Sequence, residues 1–150
     1  MTGVYGINSP KMLFEHLKRK VSIYSENPTD EYLTDVLFPL IHLREWVYPD
    51  GYKQLKKLSE TQRTREVLLY EDLYVMPEFK MMLGLFNKAK HFNDKGSYPA
   101  MASVQNARAG LMRCGDRLDR KYHLVDGRDI RECFSAVMKR YKTYFDEVSE

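Results

Sequence analysis

Two cysteines, Cys114 and Cys133, are too few for a disulfide framework. No apolar run approaches the ~20 residues that would span a bilayer. The opening stretch from Met1 to Pro10 lacks the cationic start and apolar core of a secretory signal. Together these absences predict a reducing, cytoplasmic setting. Charge of one sign is also scarce: 24 basic and 21 acidic side chains interleave to a net +3, a mild field for a dedicated duplex-DNA binder. There is no internal repeat and no low-complexity linker.

What remains is a chain of 150 residues, 43% hydrophobic and 30% charged, with eleven tyrosines lifting the aromatic share to 13%. That length predicts one domain, able to bury roughly 68–70% of its unfolded surface without metal or disulfide. Ser9-Pro10 signals a helix start, and Leu13, Phe14, Leu17, Val21 and Tyr24 recur at helical spacing until Asn27-Pro28. Thr29 or Asp30 opens a second helix with a broad stripe of Leu33, Val36, Leu37, Leu40, Ile41 and Val47. Pro39 inside it removes a backbone donor and predicts a bend near Asp35.

The segment from Tyr52 to Tyr70 is charged and helix-prone, with an apolar stripe that fades at Gln62. After Met76-Pro77, Glu78 begins a fourth helix, which Asp94-Lys95-Gly96-Ser97 closes. Between Tyr98 and Val125, Val104, Ala107, Leu111 and Met112 suit a helix while Leu118, Tyr122 and Leu124 alternate like a strand, and a small hairpin is the favoured reading. Asp126-Gly127 is a turn pair. Asp129 and Glu132 then resemble a capping box opening the final helix, whose face is Ile130, Cys133, Phe134, Val137, Tyr141, Phe145 and Val148. The expected fold is mainly α: a single-domain bundle of four to five helices over residues 1–150, the second and last central, with a small β-hairpin before the C-terminal helix.

Helix two carries a feature its core stripe does not require. Phe38, His42 and Trp46 stand four residues apart, away from the Leu/Ile/Val side. Such a strip serves either as a docking surface, with Arg44 nearby and Trp46 as anchor, or as a second face packed on the C-terminal helix. The four histidines, His16, His42, His91 and His123, with Asp35 or Glu45 near His42, lack the close repeated spacing of a zinc or di-metal motif, so no metal or cofactor is expected. Cys133 reads as a small core hydrophobe, and Cys114 has no base beside it. From Arg113 to Arg131, arginines alternate with Asp116, Asp119, Asp126 and Asp129, which predicts surface ion pairs worth no more than about 1 kcal/mol each. Lys53, Lys56 and Lys57 read as a wet helix face.

Asn87 and His91, four apart on the fourth helix, point the same way, opposite Met82, Leu85, Phe86, Ala89 and Phe92. A neutral imidazole can exchange a proton with a ribose hydroxyl while the amide orients the substrate. The run Asn87-Lys88-Ala89-Lys90-His91 resembles the signature of HEPN domains, helical bundles of which many are ribonucleases that dimerise to form one cleft. The likeness extends from Thr29 to Phe92. Asn87 and His91 match the family's polar and histidine positions, but Phe86 stands in place of its arginine, and a phenyl ring cannot stabilise charge on a phosphate. Under this likeness Arg44 or Arg108 would supply the missing cation. A second resemblance, carried by His42-Leu43-Arg44-Glu45-Trp46 and Lys90-His91-Phe92, is to small helical proteins of phages and mobile elements, and it implies such an origin.

The sequence is therefore read first as a noncatalytic protein-interaction or regulatory protein, of phage or mobile-element origin. It acts through an aromatic-rich helical surface on a protein partner or a second copy of itself, a homodimer. The alternative is a HEPN-like ribonuclease or RNA-binding module using Asn87 and His91.

Overall fold

Ser9 accepts a hydrogen bond from the Met12 amide and Pro10 occupies the first helical position, so helix α1 starts there and runs Pro10–Glu26. The computed structural model describes residues 6–90, 96 and 98–149. Thr29 caps α2, Asp30–Val47, in the same way, through the Tyr32 amide. Pro39 is buried within α2, which continues through it without a break. The weakly patterned stretch that follows divides into a short helix α3, Gly51–Leu55, a single 3₁₀ turn, Glu60–Gln62, and α4, Arg65–Val75, capped by Thr64. Helix α5, Pro77–Lys90, carries Asn87, and the last helix, α6, spans Ile130–Val148. The closing signal proposed at Asp94 to Ser97 falls largely outside the described residues.

Helices α2 and α6 sit diagonally, each packed against α1, α4 and α5. Their direct link is a hydrogen bond from the Tyr141 hydroxyl to the Leu40 carbonyl, 2.7 Å, buried in the core. Leu17, Val36, Leu40, Leu43, Leu69, Leu73, Met82, Val137 and Tyr141 are fully buried among them, each burial worth about 1.5–3 kcal/mol for an apolar side chain of this size. Phe14 stacks on Phe145 at 4.6 Å, which fixes α1 against α6. Cys133 is buried with its thiol against the Met81 sulfur, as its place on the apolar face predicts. A satellite cluster of Leu55, Val67 and Tyr70, with Tyr48, Tyr52 and Leu58 around it, seats α3 on α4.

The expected hairpin is present and has a third strand. Strand β1, Met101–Gln105, pairs antiparallel with β2, Lys121–Val125, and β2 pairs with β3, Arg128–Asp129. Asp126 and Gly127 both have positive φ, +47° and +79°, the geometry of a tight two-residue hairpin turn. Residues 106–120 form a long loop rather than the helix suggested by Ala107, Leu111 and Met112. On its way to β1 the chain crosses α5 so closely that a Cβ on Gly84 would lie 2.8 Å from the Pro99 ring. Asp129 caps α6 through the Arg131 amide, but Glu132 does not complete a box, because its carboxylate is bound by Arg128 at 3.2 Å.

Candidate functional site

Helix α2 exposes an aromatic side chain where its neighbours leave a gap. Phe38 is 60% exposed, although it sits beside buried Leu37 and Pro39. Its ring lies 4.4 Å from His42 on the next turn and 6.3 Å from Phe86 of α5, and His42 meets Phe86 edge-on at 5.2 Å. The three rings therefore form one cluster across the α2–α5 seam. Beside it a groove of about 290 Å³ is lined by Thr34, Leu37, Phe38, Phe86, Ala89 and Lys90. His42 Nδ1 is 3.1 Å from Glu45, and Lys90 at the edge of the groove makes no ion pair among the described residues.

The strip read from sequence is thus only partly a surface. Phe38 and His42 belong to the cluster, but its third ring is Phe86 of α5 rather than Trp46, which is half-buried against the core. The alternative of a face packed on α6 does not hold for Phe38, which α6 leaves uncovered. Arg44 is not on the surface at all. It is 7% exposed, its guanidinium carbon 4.4 Å from the Tyr70 ring centre and 4.7 Å from that of Phe79, and its Nε has no hydrogen-bond partner. Arg44 therefore offers nothing to a ligand, whether as a docking residue or as the replacement cation of a nuclease. Sequence held the clue, since Arg44 falls on the heptad of Leu33, Leu37 and Leu40 rather than on that of Phe38. Asn87 is exposed near the end of α5, and His91 lies outside the described residues. Phe86, in the position of the HEPN arginine, is half-buried and committed to the aromatic cluster.

A second polar constellation escaped sequence reading because its members come from three elements. The Tyr24 hydroxyl of α1 meets His123 Nδ1 of β2 at 2.7 Å, and His123 Nε2 meets Asp30 Oδ1 of α2 at 2.7 Å. Lys121 reaches the same carboxylate oxygen at 2.9 Å. Hydrogen bonds from Lys121 and His123 hold the Asp30 carboxyl down at about 2. The carboxylate is acceptor-only, so His123 donates to it from Nε2. Burial pushes the Tyr24 hydroxyl well above the ordinary tyrosine value, and at 1% exposure its oxygen is sealed from any substrate. The order Asp-His-Tyr looks like a proton relay but ends inside the core, where it ties α1, α2 and the sheet together.

The alternating charges from Arg113 to Arg131 depart furthest from the expected surface pairs. Arg131, 9% exposed, grips Asp116 with both terminal nitrogens at 2.7 and 3.0 Å and binds Asp129 at 2.8 Å. Tyr122 and the Arg113 amide donate to Asp116 at 3.0 and 2.9 Å. Burial alone would raise the Asp116 carboxyl, but the bonds from Arg131, Arg113 and Tyr122 outweigh it and hold the group at about 2. Arg117–Asp119 and Arg128–Glu132 behave as the sequence suggested, as wet pairs. Among the described residues no three His, Cys, Asp or Glu side chains converge as a metal site. No protein-family model, curated protein or solved structure matches this chain.

Proposed function

We propose that the protein is a noncatalytic docking module whose working surface is the Phe38–His42–Phe86 face. The observation that carries this reading is Phe38, 60% exposed at the centre of an aromatic cluster and beside an apolar groove. A phenyl ring held outside water-excluding contacts gains free energy when a partner covers it, and buried aromatic anchors dominate binding at such contacts. The rim sets the partner's chemistry. Lys90, which makes no ion pair among the described residues, lines the groove on α5, so the partner is a protein segment that places an apolar side chain between α2 and α5 and a carboxylate beside it.

The ribonuclease alternative gains no support from the described residues, since Phe86 is engaged with rings and Arg44 is buried. The test is a display library of random helical peptides selected on the wild-type protein and counter-selected on Phe38→Asp. Enriched sequences pair an apolar anchor with Asp or Glu, and Phe38→Ala weakens the best of them at least tenfold by calorimetry. Peptides that bind Phe38→Ala as tightly as wild type would remove this face from the account. RNA cleavage that vanishes in His91→Ala would replace the docking reading with the ribonuclease.

A further inference from the structure

Strand β1 is an edge strand of the sheet and, among the described residues, pairs only with β2. The Asn106 amide donates to the Arg120 carbonyl at 2.9 Å and the Asp126 amide to the Ala100 carbonyl at 2.8 Å. Those two pairs fix the phase of the ladder: in an antiparallel pair the bonded residues alternate, so Ala102 and Val104 turn their backbone groups toward β2. Met101, Ser103 and Gln105 direct theirs away, where no described residue meets them. Native edge strands are normally guarded by a charge, a proline or a bulge. Met101-Ala102-Ser103-Val104-Gln105 has none of these, four of its five residues are exposed, and Met101 is 53% exposed.

We infer that β1 is a self-association edge on which β1 of a second copy pairs antiparallel about a two-fold axis at Ser103, joining two three-stranded sheets into one of six strands. The register favours this occupant. An axis at Ser103 sets Met101 against Gln105 of the other copy and Ser103 against Ser103, so each outward-facing residue meets another outward-facing residue and every free donor finds an acceptor. The strand carries no charge, so identical copies do not repel. Directly opposed side chains share a face, which places Met101 of the second copy on the side of Gln105. There a cleft of about 520 Å³, lined by Gln105, Ser22 and Pro28 together with the charged Glu26, Arg117 and Lys121, opens beside it.

Sedimentation of the full chain across a concentration series tests this. Wild type passes from monomer to dimer as concentration rises, while Ser103→Pro, which removes an outward N–H and no ladder bond, stays monomeric. Ser103→Lys, which opposes two ammonium groups at the axis and leaves every backbone bond of the monomer in place, also stays monomeric, and this guards against a misfolded proline variant. In a Cys114→Ser background, Ser103→Cys oxidises to a covalent dimer, whereas Ala102→Cys, whose opposite number is Val104, does not. Phe38→Ala leaves the dimer intact, and Ser103→Lys leaves peptide binding intact, so this edge and the docking face fail separately. A wild-type chain that remains monomeric at several hundred micromolar, or a dimer that survives Ser103→Lys unchanged, overturns the proposal.

Discussion

The α2–α5 seam and the sheet end of the molecule break the usual partition of side chains in opposite directions. At the seam Phe38 leaves aromatic carbon in water, whereas near the sheet Arg131, Asp116 and Asp129 carry charge into the interior. The two departures have different physical consequences. Exposed carbon costs the monomer only the burial it forgoes, and it leaves no group in need of a partner inside the fold. A buried ionic cluster must be complete within the monomer, since each ion forfeits hydration on folding and only its neighbours offset that loss. The first is consistent with a binding surface, and the second holds a long loop to a helix start.

That contrast can be broken most forcefully at Arg131. Removing its guanidinium in Arg131→Met strands two buried carboxylates, and we expect a loss of about 3–5 kcal/mol by urea unfolding. A loss under about 1 kcal/mol would return the cluster to the class of surface pairs. Acid probes the same cluster more gently. The Asp116 carboxyl sits at about 2 in the folded protein and at 3.8 when free, so its contribution is complete above about pH 5 and is lost as pH falls through about 2. Unfolding at pH 5 and pH 2.5 should differ by up to about 2 kcal/mol more in wild type than in Asp116→Asn. Equal differences would show that other groups govern acid sensitivity.

The smallest effects separate the two aromatic residues of α2. Trp46, half-buried against the core, should cost about 1–3 kcal/mol as Trp46→Ala, whereas Phe38→Ala should fall within about 0.5 kcal/mol of wild type. Thermal melts of the pair decide between them. The reverse order would make Phe38 a core residue and Trp46 the exposed anchor.

How much could be read from the chain follows the same division. Helices α1, α2 and α6 announce themselves through 3.6-residue periodicity and local caps, as at Ser9, Thr29 and Asp129, and Asp126-Gly127 fixes its turn by local backbone preference. The division of residues 51–75 into two helices and a 3₁₀ turn was hidden, because its small cluster of Leu55, Val67 and Tyr70 is assembled across the break. Phe38 and His42 were legible as a strip, but Phe86 joins them only through the packing of α5 on α2. Alternating Arg and Asp looks the same in sequence whether solvated or buried. Tyr24, His123 and Asp30 lie up to 99 residues apart, and nothing local marks them as partners.

Gly84 has a reach beyond its own contact. Two residues on, and about 200° around the helix, stands Phe86, so Pro99 presses on the side of α5 that faces away from the aromatic rings. The contact leaves no room for a side chain between this helix and the proline. Any side chain at position 84 would have to displace either the Pro99 segment or α5 itself, on the side of the helix opposite Phe86.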